Sequence, residues 1–216
     1  MKNKNKSRLI AYFCSFGFSG SMFDDDWKNN AAPRIVADHY NLEFINRSVP
    51  GISTHKQYEA INNDLDNGLI NTDNDIVFVQ WSFPARGYAS NFTGSYTPHD
   101  TSNNKNVKWY YENMYTERFA NSQVLSYAST LHSLLHGNIY QGLIRGLKMS
   151  MSCPRGLYNS VINNINCIAF NHGNMVNELK ENVHPTDALH KCDHPTDIGH
   201  EYIANKYIEK IEEIIK

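Results

Sequence analysis

The sequence predicts an α/β fold, a parallel sheet with helices on both faces. Short apolar runs alternate with longer stretches of helical periodicity, in the order β-α-β-α-β, a helical section, β and a final helix. A parallel strand covered on both faces is apolar throughout rather than alternating, and the first run here has that character. The length of 216 residues, with 41% hydrophobic and 12% aromatic side chains, suits one domain, 1–216, with a sizeable core.

Arg8 to Cys14 is the first run, and it stops at a small-residue loop, Ser15-Phe16-Gly17-Phe18-Ser19-Gly20-Ser21. In open α/β sheets ligands bind outside the carboxyl ends of the strands, so this loop is the first place to look for chemistry. Asp24, Asp25 and Asp26 make a solvated cluster suited to a helix N-terminus. Pro33 to Tyr40 reads as a helix with Ile35, Val36 and Ala37 inward, and Leu42 to Asn46 as a second strand. Arg47 to Ser53 is a loop in which Gly51 permits a close backbone approach. Thr54 to Leu69 is a polar helix ended by Asn67-Gly68. Asp75 to Trp81, β-branched and aromatic, is the clearest strand.

Residues 87–106 are rich in Gly, Ser, Thr and Asn without periodicity, which predicts a long surface loop or lid. From Val107 to about Ser150 helical spacing dominates, through Trp109, Tyr110, Met114 and Phe119, then Val124 to Leu135, then Ile139 to Leu147. Ile165 to Phe170 is a later strand. Pro195 disfavours helix at His194. Thr196 or Asp197 then caps a last helix whose inward face carries Ile198, Tyr202, Ile203 and Ile208. His200 suits packing or capping within that helix.

A formal net charge of -2 excludes the strong basic field that nucleic acid or an anionic membrane surface would select. No run of about 18 apolar residues is present, so no transmembrane helix is expected. The stretch from Lys2 to Ser21 mimics a leader peptide, but Cys14, Ser15 and Gly17 interrupt it and no A-x-A site follows. A cytoplasmic protein is the expectation. Cys14, Cys153, Cys167 and Cys192 have no CxxC spacing, which predicts thiols in a reducing compartment. His184, His190, Cys192, His194 and His200 match none of the usual zinc spacings, so no metal or other cofactor is expected.

Ser15 lies just past the first strand and His194 just before the last helix, and in a parallel sheet both loops can open on one edge. That pairing serves acyl transfer, because an imidazole within hydrogen-bond reach takes the hydroxyl proton as attack occurs. The amides of Ser15 and Gly51 are sensible oxyanion donors. Four regions carry a resemblance. Phe13-Cys14-Ser15-Phe16-Gly17, Phe44 to Gly51, Val77 to Ser82, and Asp193-His194-Pro195 with Gly199-His200 and Ile203-Ala204 resemble the first, second, third and fifth blocks of the SGNH (GDSL-type) hydrolases, in particular a divergent viral and bacterial branch.

The resemblance implies a flavodoxin-like three-layer α/β/α fold and metal-free hydrolysis of a small ester or O-acetylated carbohydrate. It makes Ser15 the nucleophile, His194 the base and Gly51 an oxyanion donor. Where the family has an Asn in its third block, this chain has Ser82-Phe83-Pro84, and Ser82 or Arg86 is the substitute. Trp81 and Arg86 are candidates for substrate contact, and Trp109, Tyr110 and Tyr111 suit either the core or a sugar-binding cleft. The family's acid stands three residues before the His, where this chain has Lys191. Asp193 is adjacent to His194, and Asp187 has the expected spacing only to His190. These departures leave a second reading open, a catalytically inactive scaffold used for binding, such as a virion-associated structural or glycan-attachment protein. A metal-dependent enzyme built on the 184–200 cluster is the third.

Overall fold

A five-residue strand, β1 (Arg8–Tyr12), lies inside the sheet with a parallel neighbour on each side. The structure, a computed structural model, describes residues 8–14, 31–82, 84, 87–88, 95–96, 105–143, 164–167, 175–183, 189 and 194–215. After β1 come α1 (Ala32–His39), β2 (Glu43–Asn46), α2 (Thr54–Asp66) and β3 (Asp75–Trp81). Two short strands, β4 (Gly87–Tyr88) and β5 (Ser95–Tyr96), pair with each other, and helices α3 (Lys105–Asn113) and α4 (Glu117–Leu134) follow. Strand β6 (Ile139–Leu143) and helices α5 (Met175–Asn182) and α6 (Asp197–Ile215) complete the described elements.

The main sheet is four-stranded in the order β2-β1-β3-β6. Every neighbouring pair is parallel, with Ile10 opposite Ile45 and Val77, and Val79 opposite Gln141. Beyond β6, Cys167 bridges Gln141 in parallel sense, which puts the start of the predicted 165–170 strand at that edge; residues 168–170 lie outside the described set. Alternation along β1 sends Leu9, Ala11 and Phe13 into a core shared with α1, α5 and α6. Ile10 and Tyr12 point the other way, into a core shared with α2 and α4. The fold is therefore a three-layer α/β/α sandwich, as the sequence predicts.

One element differs in type. Ile139–Leu143 is a strand, not the continuation of a helix. His136 and Gly137 both adopt positive φ, 49° and 77°, and Gly137 N–H closes on the carbonyl of His132. A left-handed pair of this kind ends α4, and the five residues beyond it are free to extend against β3. Two faces also differ in detail. Trp109, Met114 and Phe119 are exposed, and Ile198 is 52% exposed. The buried stripe of α6 is instead His200, Ile203, Ala204, Tyr207 and Ile211, a 3.6-residue period turned away from Ile198. Within residues 87–106 the structure adds the β4–β5 pairing, Gly87 opposite Tyr96 and Tyr88 opposite Ser95, and the first residues of α3.

Helix ends follow local chemistry. Ser53 caps α2 by accepting from the Lys56 amide at 3.3 Å, and Thr116 caps α4 by accepting from the Phe119 amide at 3.1 Å. Thr196 caps α6, its hydroxyl accepting from the Gly199 amide at 3.2 Å. His200 is fully buried, and its Nδ1 accepts the Ala32 amide of α1 at 3.2 Å. It therefore caps a helix, but a neighbouring one, and ties α6 to α1.

Candidate active site

The strand order sets the location. The chain leaves β1, forms β2 on one side and returns to form β3 on the other, so the order reverses between β1 and β3. At such a switch point the loops leaving the two carboxyl ends part and open a crevice.

The carboxyl end of β1 is held by β2 and the turn after it. Beyond the paired strands, the Val49 amide donates to the Phe13 carbonyl at 3.0 Å. The Phe13 amide donates to the Ser48 hydroxyl at 3.0 Å. Val49-Pro50-Gly51-Ile52 then turns back, with the Ile52 amide donating to the Val49 carbonyl and Gly51 at φ 75°. Pro at the second position and a left-handed third residue are the requirements of a type II turn, which explains the glycine at position 51. A Cβ there would meet nothing within 4 Å, so the backbone angle and not crowding selects glycine. Gly51 is exposed, on a turn anchored to the last residues of the β1 segment.

The β3 side ends in Trp81 and Ser82, both buried. Trp81 lies in the core facing α4 and donates from Nε1 to Gln141 Oε1 at 2.9 Å. It lines a cavity of about 10 Å³ with Val124, Leu125, Ala128 and Ile165, at the lower limit for one water molecule. The Ser82 amide donates to Gln57 Oε1 at 2.8 Å. His194 is half-buried, two residues ahead of the Thr196 cap of α6. Cys14, the last described residue of the β1 segment, belongs to the same buried cluster as Ile203 and Ala204 of α6.

Ser15, Asp193 and Arg86 lie outside the described residues, as do His184, His190 and Cys192 of the polar cluster. Among the described residues no group of three His, Cys, Asp or Glu side chains is placed to hold a metal ion. No helix among them is long and apolar enough to cross a membrane.

At the carboxyl end of β1, on Tyr12, lies a polar network that sequence reasoning did not find. Asp64 of α2 is 5% exposed. It accepts from Tyr12 Oη at 2.6 Å, from Arg47 Nε at 2.8 Å and from Arg47 Nη2 at 2.6 Å. Burial opposes ionisation of Asp64, but the hydrogen bonds from Arg47 and Tyr12 outweigh it and hold the carboxyl below its ordinary range. The Tyr12 phenol is raised, first by burial and then by the Asp64 carboxylate. A folded carboxyl that titrates below its unfolded value, near 3.9, stabilises the protein above that value, and the contribution is lost as pH falls through the folded pKa. Asp64→Asn is expected to cost about 1.5–2 kcal/mol at neutral pH, the low end for a bond to a charged group because Arg47 is half exposed. Melting curves across the acid range check this: the gap between wild type and variant should narrow below about pH 4.

No protein-family model matches the sequence, and no curated protein sequence matches it significantly. The fold has clear counterparts among solved structures. A lipolytic protein of the G-D-S-L family from Desulfitobacterium hafniense is 12% identical with a TM-score of 0.53, covering 94% of this chain and 99% of its own. A G-D-S-L family member from Veillonella parvula is 14% identical at TM-score 0.55, covering 94% and 97%. A psychrotrophic esterase from Pseudoalteromonas is 10% identical at TM-score 0.53, covering 97% and 98%. Over nearly its whole length the chain has the fold of the GDSL, or SGNH, lipolytic hydrolases.

Proposed function

We propose that the protein is a serine ester hydrolase of the SGNH type, acting on a small ester or an O-acetylated carbohydrate. The observation that carries this reading is the anchoring of the Val49–Ile52 turn to the Phe13 carbonyl, where the β1 segment leads into Ser15. A strand running into a serine, with a glycine turn bonded beside it, supplies a nucleophile and a source of amide donors at one edge.

In this mechanism the Ser15 hydroxyl attacks the ester carbonyl carbon while His194 takes its proton. The amides of Ser15 and Gly51 hold the oxyanion, and each such donor is worth about 2.7–4 kcal/mol of barrier. Collapse expels the alcohol, to which His194 returns the proton, and water then releases the acid by the same route in reverse. Asp193 or a backbone carbonyl orients the imidazole, Arg86 contacts substrate, and Ser82 contributes through its hydroxyl, since Gln57 takes its amide.

A fluorophosphonate probe tests the reading, because it reacts only with an activated serine. Labelling of the folded protein, mapped to Ser15 by peptide mass and abolished in Ser15→Ala, is the expected result. A folded protein that takes up no label would overturn the hydrolase assignment in favour of an inactive scaffold used for binding. The engagement of the Ser82 amide, where the family draws on a third-block donor, is the observation on that side.

A further inference from the structure

We infer that Gln57 is a positioning residue for the reaction at this edge, a carboxamide wedge that fixes the separation between the carboxyl ends of β1 and β3. The inference rests on the hydrolase reading for its kinetic consequence, and on the hydrogen bonds alone for its structural one.

Gln57 lies in the first turn of α2 and is completely buried. Its Nε2 donates to the Tyr12 carbonyl at 3.2 Å and to the Gln80 carbonyl at 2.8 Å. Its Oε1 accepts the Ser82 amide at 2.8 Å. The two carbonyls need donors and the amide needs an acceptor, so only one orientation of the carboxamide satisfies all three.

The position matters as much as the bonds. Pairing between β1 and β3 runs from Arg8 opposite Asp75 to Tyr12 opposite Val79 and stops there. Gln57 takes over where the ladder ends, joining the two strands through a side chain of α2 instead of through each other. Tyr12 leads through Phe13 and Cys14 into Ser15, and Ser82 stands four residues before Arg86 in the sequence. The carboxamide therefore links the carboxyl ends of β1 and β3 at the switch point and sets how far apart they stand. Ser53, the cap of the same helix, is also fully buried, so the wedge stands on a fixed base. A polar side chain without charge suits this place, because two carbonyl oxygens face it and a carboxylate would repel both.

The experiment compares Gln57→Met, which keeps length without donors, and Gln57→Glu, which keeps shape, with wild type at a temperature where all are folded. Three quantities are read: Tm, the rate of fluorophosphonate labelling at Ser15, and exchange of the Ser82 amide. Both variants should label about 10- to 100-fold more slowly than wild type, with Ser82 exchange faster by about tenfold and the Leu9 and Ile10 amides unchanged. For Gln57→Glu the labelling rate relative to wild type should fall as pH rises and the introduced acid ionises, since a neutral acid still donates once. Gln57→Asn, one methylene shorter, should not rescue. A purely structural residue would lower Tm and leave the labelling rate of folded protein and its pH profile unchanged, and that result overturns the inference. If wild type itself takes up no label, the hydrolase reading fails on its own, and Ser82 exchange still decides whether Gln57 fixes the edge. Unchanged exchange in folded Gln57→Met would sink that too.

Discussion

Ser15→Ala is expected to lower kcat on p-nitrophenyl acetate by about 10⁴-fold or more, with the melting temperature unchanged. The hydroxyl forms the covalent bond in the proposed mechanism, so nothing in the remaining site replaces it. The imidazole then has no proton to take. His194→Ala should cost a similar factor, and the double variant little more than either single one, because a nucleophile and its base act as a unit. The non-additivity is the diagnostic feature. Two residues that contributed independently, through binding or stability, would multiply their effects, and a product of two large factors would refute the Ser15–His194 assignment. Single-turnover kinetics with each variant, beside thermal denaturation, make the measurement.

Gly142→Ala is expected to destabilise the fold by about 2–3 kcal/mol, and Tyr207→Phe is expected to remove most of that cost. Gly142 lies in β6, and a Cβ there would come within 2.7 Å of Tyr207 Oη, with Cζ next at 3.6 Å. The tyrosine cannot swing aside. It is fully buried, stacked on Phe78 with ring centroids 4.7 Å apart at 20°, and 6.2 Å from the Phe13 ring. Its hydroxyl has no hydrogen-bond partner among the described residues, so removing it sacrifices little. With Oη gone, the nearest contact becomes ordinary, and alanine even gains over glycine in a strand interior. Denaturant unfolding of the two single variants and the double should give a coupling energy of at least about 1 kcal/mol. Additive costs would show that the strand moves and not the phenol.

The strands that were legible are those whose residues speak for themselves. Asp75–Trp81 is β-branched and aromatic between turns, and its bounds match the observed strand. Asn67-Gly68 marks the end of α2, where Gly68 takes φ 69°. Ile139–Leu143 was not legible, because Leu131, Leu134 and Leu135 set up a helical rhythm that Ile139 and Tyr140 continue by chance. The signal against it was Gly137-Asn138, a turn pair easily passed over inside an apolar stretch. Buried polar residues were harder still. Gln57, Asp64 and Gln141 are among the least exposed side chains, yet their roles depend on partners distant in sequence: Gln141 accepts from Trp81 and donates to the Ala128 carbonyl at 3.0 Å. A single sequence carries no mark of such pairings. The candidate site was read mainly through a resemblance to known blocks, and of its proposed residues Gly51, Trp81, Ser82 and His194 lie within the described structure.

The interior place of β1, between β2 and β3, also sets a timetable. Its first neighbour, β2, lies about thirty residues downstream and its second, β3, more than sixty, with Arg8 registered against Asp75. During synthesis at about 5–20 residues per second, Leu9 to Tyr12 therefore emerge on the order of several seconds before the strand that covers their far side exists. Their apolar surface must wait in solvent or be shielded by chaperones, and the sheet is completed late through non-local closures, which slow folding. A nascent chain arrested before residue 75 should remain protease-sensitive across this segment, and the full-length chain, with the helices that cover Leu9 and Ala11 in place, should not.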